Sequence, residues 1–571
     1  MVKKWIVKKS DAQRQKILSE ELSVLPVTAQ VLLNRGIDTI EAAYAFLKSG
    51  ILNLHDPFLM KGMDKAVSRV KKAIEKKEEI MIHGDYDVDG ICATALLKIV
   101  LTRIGAKVSH YIPNRVADGY GINNNAIKLS IEKHIKLFIS VDCGITAVKQ
   151  VDALNKEGID VIITDHHQLG EELPRAFSIL NPLQKDCAYP YKDLSGVGVA
   201  FKFAAALCGV DSDNIYEHLD LACMGTISDV VPLTGENRIL VKAGLEQLRN
   251  SKKKGIQALI SVAGLKGKDV TSHHVGYILG PRINAAGRLK SADPALELLL
   301  TQNQSTAQEL AMTLDTENYN RQRLEQKTLS EALAKVEREM DFTRDRVIVL
   351  EDSNWHSGVA GIVASRLVDR FNRPAVVITA KDDIAKGSGR SIKNFHLVKA
   401  FGECSHLLDN FGGHCYAAGL TLNKSRLEDF KKLINQVAHN SITQEDLIPV
   451  VNIDIELGFG SFSDRLFEEM DMLSPFGAGN PQPVFMTKGL KAKSQPQVVG
   501  RDTLKLWLTD GKKTCEAIGY RMADAVDLNI ADANIDIVYA CSLHDRRGIK
   551  SIQMQLKDIK MSEELAPGYP V

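Results

Sequence analysis

The chain has 571 residues, with 44% hydrophobic and 25% charged residues, enough for about three or four domains of ordinary soluble protein. No apolar run reaches the roughly eighteen residues of a membrane span, and the basic start lacks the apolar core of a signal peptide, so no membrane is expected. The nine cysteines are scattered without a C-x-x-C pair, which argues against a disulfide framework or zinc site and for a reducing cytoplasm. A net charge of +1 neither marks nor excludes a nucleic-acid partner, because acids gathered at a metal site can mask a basic groove.

Residues 1–62 read as a helical segment, with Leu18, Leu22, Ala29, Val31 and Leu32 set among charges and Gly36 and Pro57 as punctuation. From residue 63 strands alternate with helices, the pattern of a parallel sheet with helical crossovers. The apolar run Ile80-Met81-Ile82 predicts a buried strand that ends at Gly84 and is followed by Asp85, Asp87 and Asp89; Gly90 then opens a helix. Further strands are predicted at Lys107–Pro113, at Leu137–Val141, which runs into Asp142-Cys143-Gly144, and at Val161–Thr164, which runs into Asp165-His166-His167. A last acid, Asp229, follows the apolar helix around Leu219–Ile227.

Three strands thus end in groups able to hold a metal, on the edge of an α/β sheet where ligands bind. Three close carboxylates repel one another unless a cation or proton compensates them. Carboxylates with imidazole and no thiolate suit Mn²⁺ or Mg²⁺, with Mn²⁺ favoured by the nitrogen donors. One ion does not need so many acids. A pair of ions sharing an Asp is the economical reading, and such pairs serve phosphoryl chemistry. No P-loop and no H-E-x-x-H sequence competes, and Gly196-Val197-Gly198 lacks the third glycine of a dinucleotide site.

Beyond this centre, Gly280–Arg288 carries Arg282, Asn284 and Arg288 in what reads as a glycine-bounded loop, suited to phosphate. No Gly or Pro occurs from Ala295 to Ser357, and the spacing of Leu310, Leu314, Leu324, Leu329, Leu333 and Val336 predicts a long solvated helix joining two domains. A second α/β unit follows, with strands at Arg346–Leu350 and Pro374–Thr379. Lys386–Ser391 then reads as a glycine-rich anion loop, and Phe411-Gly412-Gly413-His414 comes after it. The tail shows short β-rich stretches with turns at Asp510-Gly511 and Arg547-Gly548, a small β-barrel. Lys505, Trp507, Lys512, Lys513 and Tyr520 are its candidates for gripping a single strand, although Trp507 fits a core position equally well.

Asp85-Tyr86-Asp87-Val88-Asp89-Gly90, Asp142-Cys143-Gly144, Asp165-His166-His167 and Asp229 resemble, in order, the four motifs of the DHH phosphoesterase superfamily, and within it the RecJ family of single-strand-specific 5′→3′ DNA exonucleases. The resemblance runs from about Leu54 to the C-terminal region. It implies an α/β protein of two α/β core domains, DHH with a parallel sheet and DHHA1, joined by a long helix, plus a small β-barrel of OB-fold type. The expected bounds are 1–62 for the helical segment, 63–300 for DHH, 301–342 for the connector, 343–445 for DHHA1 and 446–571 for the OB-fold domain. By resemblance Asp87, Asp89, Asp142, His166 and Asp229 are metal ligands, with Asp142 or Asp229 bridging, and Asp85 is a ligand or lies just behind one. His83 holds a place some relatives use for a ligand. His167, Asn284 and Arg288, with Arg282 nearby, would face the scissile phosphate. Arg115, Ser388 and Arg390, with His414, would hold the 5′-phosphate. The implied activity is two-metal release of mononucleotides from single-stranded DNA in repair and recombination, by a monomer working with a single-strand-binding protein and a helicase. A phosphodiesterase for short oligonucleotides or cyclic dinucleotides would use the same ligands, and a non-catalytic single-strand scaffold is the remaining alternative.

Overall fold

The structure, a computed structural model, describes residues 3–114, 118–209, 213–289, 291–500, 502–523, 533–546 and 549–562. The chain divides into two compact units, one of Leu54–Val231 and Leu240–Ile448, the other of Met1–Asn53, Pro232–Ile239 and Pro449–Val571.

In the first unit β1 (Glu79–Gly84), α1 (Val88–Arg103), β2 (Lys107–Tyr111), α2 (Asn124–Glu132), β3 (Leu137–Val141), α3 (Val148–Lys156), β4 (Asp160–Thr164) and β5 (Ser178–Leu180) alternate along the chain. The five strands are all parallel, in the order β2-β1-β3-β4-β5. Helices cover such a sheet on both faces, which is why its inner strands β1, β3 and β4 read as nearly continuous apolar runs, while the edge strand β2 does not. Helix α1 is buried from Val88 to Leu97 because it is enclosed by the sheet, α4 (Gly196–Cys208) and α5 (Leu219–Ser228). The strand order reverses between β1 and β3, and in this topology the ligand site lies at that switch point, beyond the carboxyl ends of the strands.

Gly280–Arg288 is not the expected loop. It lies within helix α6 (Gly280–Leu289), which continues from a π-turn over Val275–Leu279. The glycine serves close packing here, since a Cβ on Gly280 would stand 2.7 Å from Ser228 Oγ. Gly280 N–H bonds back five residues to Val275 O, and this wide turn accommodates Pro281, which has no N–H to give.

Helix α7 (Gln304–Glu339), 36 residues and about 54 Å long, is the connector. It is not solvated all round. Ala307, Ala311, Leu314, Ala332 and Val336 are buried along it, and their small side chains let it lie close against its neighbours.

The second α/β half holds β6 (Ile348–Glu351), α8 (Ser357–Phe371), β7 (Ala375–Lys381), β8 (Ile384–Arg390), β9 (Asn410–Gly413) and β10 (Ala417–Asn423), in the sheet order β9-β10-β8-β7-β6. The expected loop at Lys386–Ser391 is therefore the middle strand. Its glycines admit close neighbours: a Cβ on Gly387 would lie 2.9 Å from Leu420 Cδ1, and one on Gly389 2.6 Å from Leu397 Cδ2.

In the other unit, Phe485–Ala492, Thr503–Thr509, Thr514–Gly519, Asn534–Arg546 and Ile549–Met561 pair in a ring, closed where Lys491 and Ala492 meet Thr509 and Leu508. Five strands closing in this way make an OB-type barrel. Its core residues Leu504, Leu506, Leu508 and Tyr539 are continuous with Leu18, Val31 and Leu32 of the N-terminal helices. Trp507 is not a core residue: it is 42% exposed, on the face opposite Leu506 and Leu508, with Lys505 Nζ 5.8 Å from its ring centre. The turn expected at Arg547-Gly548 lies outside the described residues.

Candidate metal centre

Local structure aims each acid. Asp87 caps α1, its Oδ1 accepting from the N–H groups of Asp89 (3.0 Å) and Gly90 (3.1 Å). Asp142 follows β3 with φ +60°, a left-handed conformation that few residues other than Gly, Asn and Asp adopt readily. Its N–H is fixed to Thr164 O at 2.9 Å. Asp165 is a clamp. Its carboxylate accepts from Ile145 N (2.9 Å), His166 N (2.7 Å) and His167 N (3.1 Å), and meets His167 Nδ1 at 2.7 Å. Asp229 caps the C-terminus of α5.

These segments bring together three groups of potential ligand atoms, each group lying within 4.8 Å: Asp85, Asp87 and Asp142; Asp142, His166 and His167; Asp89, His166 and Asp229. Asp142 and His166 each belong to two groups. His166 Nε2 stands 3.1 Å from Asp142 Oδ1 and 3.5 Å from Asp229 Oδ2. None of these three buried atoms has a hydrogen-bond partner among the described residues. Burial, then the charge of His167, lowers His166 to about 4, so its ring is neutral. Burial, then Asp89 and Asp87, raises Asp229 to about 9 and Asp142 well above the carboxylate range. Burial and Asp87 raise Asp89 to about 7. Buried lone pairs facing one another are costly unless a proton or a cation lies between them. The donors are oxygen and imidazole nitrogen. Cys143 stays out of the set, because burial and Asp165 keep its thiol protonated, and its Sγ lies 3.6 Å from His83 Nδ1. The site therefore fits Mn²⁺ or Mg²⁺.

A pH dependence follows. Asp89 and Asp229 hold protons in the folded, metal-free protein that the unfolded chain releases near pH 4. Their stabilising contribution is complete below that pH and is lost as pH rises through about 7 and about 9. His166, lowered to about 4, acts in the opposite sense only below its ordinary 6.5. Between pH 6.5 and 9 the melting temperature in chelator should fall. The gain on adding Mn²⁺ should grow over the same range, because binding displaces those protons. A melting temperature in chelator that rises over this range would contradict the buried-acid geometry.

Some determinants carry no catalytic signature in the sequence. Both oxygens of Asp89 accept from the N-terminus of α4, Gly196 N at 2.7 Å and Val197 N at 2.9 Å, with Ser195 as the cap. A helix N-terminus favours negative charge. A Cβ on Gly196 would lie 2.4 Å from Asp142 Oδ1, and one on Gly225 2.5 Å from Asp89 Oδ1. The only sequence sign of this is a serine cap before glycines, which a plain helix start also shows. Tyr120 places its hydroxyl 3.3 Å from both Asp142 O and His167 Nδ1. Burial and Asp165 raise its phenol above the usual range, so it stays a donor.

Of the candidates for phosphate contact, Asn284 is half-buried on α6. Arg282 donates to Asp315 Oδ1 on α7 (2.9 Å) and to Ile278 O in the π-turn (2.6 Å). Helix α6 packs on α1, α5 and α8. Ser388 and Arg390 lie over α8, where a Cβ on Gly361 would meet Ser388 Oγ at 2.9 Å and Arg390 Nη2 at 3.0 Å. His414 is exposed beside the β9–β10 turn, its N–H bonded to Ala417 O, and Ala417 pairs with Arg390. His83 is fully buried between Tyr111 and Phe138 and stands in none of the three ligand groups. Arg115 and the side chain of Arg288 lie outside the described residues.

Residues 79–226 match the DHH family, N-terminal domain, residues 344–440 the DHHA1 domain and residues 453–558 the RecJ OB domain. The chain is 40% identical over 564 residues to the single-stranded-DNA-specific exonuclease RecJ of Bacillus subtilis (strain 168), covering 98% of this chain and 71% of that protein. The crystal structure of RecJ from Thermus thermophilus in complex with Mn²⁺ superposes with a TM-score of 0.84 at 30% identity, covering 99% of this chain and 81% of that one. The same protein in complex with Mg²⁺ gives 0.79 at 28% identity, covering 98% and 79%.

Proposed function

The chain belongs to the RecJ family of single-stranded-DNA-specific exonucleases, and on that footing we propose that it hydrolyses single-stranded DNA from the 5′ end with two divalent cations, Mn²⁺ or Mg²⁺. The observation that carries this is the set of interlocking ligand groups at the sheet's switch point, in which the buried Asp142 Oδ1, His166 Nε2 and Asp229 Oδ2 face one another without hydrogen-bond partners among the described residues. Asp142, which stands in two groups, would hold both ions, with Asp85 and Asp87 on one side and His166 on the other; Asp89 and Asp229, which group with His166, would complete that second side. When bound, such a pair lowers the pKa of an attacking water and offsets the charge that builds on the phosphate.

The protein's own groups orient the substrate. Burial alone would lower His167, but the hydrogen bond and charge of Asp165 raise it above its ordinary value. It donates to the scissile phosphate together with Asn284 and Arg288. Arg282 braces α6 against α7 and so keeps Asn284 in place. Ser388 and Arg390, with Arg115 and His414, hold the 5′-phosphate; their link to the metal side through α8 and α6 sets the cut at the first nucleotides. The exposed Trp507 of the barrel stacks on the single strand, and Lys505, half-buried beside its ring and paired with Glu516 at 2.7 Å, adds positive charge there. Action as a monomer in the cytoplasm, with a single-strand-binding protein and a helicase, completes the reading for DNA repair and recombination.

A long single strand labelled at either end tests it. With Mn²⁺ the 5′ label should leave first, as mononucleotide, and chelator should stop the reaction. Removing the 5′-phosphate should slow the wild type and leave Ser388→Ala with Arg390→Ala little changed. Activity confined to short oligonucleotides or cyclic dinucleotides would move the protein to that other class of phosphodiesterase.

A further inference from the structure

Tyr277 is 74% exposed, more than any other Phe, Tyr or Trp among the described residues. Single exposed aromatics are ordinary, but this one is built in. Its ring stacks on His273, with centroids 4.8 Å apart and planes 28° from parallel. His273 in turn meets His274 edge-on at 6.0 Å. The His274 ring is tied by its Nδ1 to Thr271 N and Oγ1, both at 3.1 Å, in a capping box. The backbone beneath Tyr277 is the π-turn Val275–Leu279, a device that re-aims side chains and recurs at functional sites. Arg282 fixes that turn through Ile278 O and is itself anchored on Asp315.

The location also counts. A Cβ on Gly276 would touch Ile227 Cγ2 at 3.5 Å, and one on Gly280 would stand 2.7 Å from Ser228 Oγ. Ile227 and Ser228 lead directly into Asp229. The π-turn thus rests on the helix end that presents a metal ligand, and Asn284 lies on the helix that continues from it. Among the described residues no protein group stacks on the outward face of Tyr277.

We propose that Tyr277, backed by His273, is a stacking subsite for a nucleobase of the single strand held at the metal centre; this rests on the exonuclease reading and adds a base contact to its phosphate contacts. A pre-stacked phenol gives a flat apolar face at little entropic cost, and every base has a π-face, so the contact is independent of sequence. A paired base, already stacked on both sides, offers no such face, so the subsite favours single strands.

Wild type, Tyr277→Ala, Tyr277→Phe and His273→Ala should be compared in two assays. In the first, single strands carrying 2-aminopurine at successive positions from the 5′ end are bound in chelator, without cleavage. Wild type should quench the fluorescence at one position, Tyr277→Ala should abolish that quench, and Tyr277→Phe should restore it. In the second, hydrolysis with Mn²⁺, Tyr277→Ala should raise KM roughly 10- to 100-fold and change kcat far less, and His273→Ala should have a smaller effect of the same kind. An abasic nucleotide at the quenched position should cost wild type as much as the substitution does and cost Tyr277→Ala little more. Unchanged KM and an unchanged quench pattern in Tyr277→Ala would overturn the subsite while leaving the exonuclease reading intact. Failure of the wild type to degrade any single strand with Mn²⁺ would overturn the exonuclease reading itself, and the quench in chelator would then decide the subsite alone. Because Tyr277 is exposed, all variants should melt as wild type does.

Discussion

Asp142→Asn should lower exonuclease activity with Mn²⁺ by roughly a thousandfold or more, the largest effect expected of a single substitution here. Two properties make this position decisive. Its carboxylate stands in two of the three ligand groups, so removing its charge weakens the hold on both ions. Its backbone has φ +60°, which Asn tolerates where most residues do not; the loss is then chemical and not a misplaced loop. In the metal-free protein burial and its acidic neighbours raise Asp142 well above the carboxylate range, so a neutral amide removes a charge that the fold disfavours there. The variant should therefore melt in chelator no lower than wild type, and Mn²⁺ should stabilise it much less. It should still bind single-stranded DNA through the groups away from the metals. The measurements are end-labelled digestion, melting with and without Mn²⁺, and filter binding. Activity within tenfold of wild type would sink the shared-ligand assignment.

Gly196→Ala should cost roughly a hundredfold in activity through a single methyl group. That methyl would lie 2.4 Å from Asp142 Oδ1 and 2.6 Å from its Cγ. Neither side can yield easily. Asp142 is held by its own N–H bond to Thr164 O, and the α4 backbone is held by the bonds from Gly196 and Val197 to Asp89. A shift of either therefore disturbs ligands on both sides of the centre. Stability should suffer less than activity, since Ala suits a helix better than Gly by about 1 kcal/mol. Gly225→Ala, aimed at Asp89 Oδ1 from 2.5 Å, should behave alike. Gly402→Ala is the control, with nothing within 4 Å of its Cβ. Apparent Mn²⁺ affinity should fall in the first two variants and stay unchanged in the third. Near-normal activity and affinity in Gly196→Ala would mean that the close approach to Asp142 does not govern the site.

The features legible in the sequence are local ones. Ile80-Met81-Ile82 has the length and polarity of a buried strand whatever surrounds it, and an acid at a strand end can be read from the run that precedes it. The alternation of strands and helices limits the sheet to a parallel one, and 63 residues without Gly or Pro, from Ala295 to Ser357, leave a long helix as the natural state. The types of donor, carboxylate and imidazole without thiolate, indicate the class of ion before any distance is known.

The remaining features depend on atoms that folding brings together from distant parts of the chain. Glycine illustrates why. At Gly280, Gly387 and Gly389 the residue looks like loop punctuation, yet in each case it sits inside a helix or strand and leaves room for Ser228, Leu420 or Leu397. At Gly196 it looks like a failed dinucleotide motif, and its N–H holds an acid 107 positions away. Trp507 has the composition of a core residue, and the direction in which its strand faces leaves it in solvent. A missing side chain has no period and no charge to read. Its purpose lies in the neighbour that occupies the space, and that neighbour is chosen by the fold.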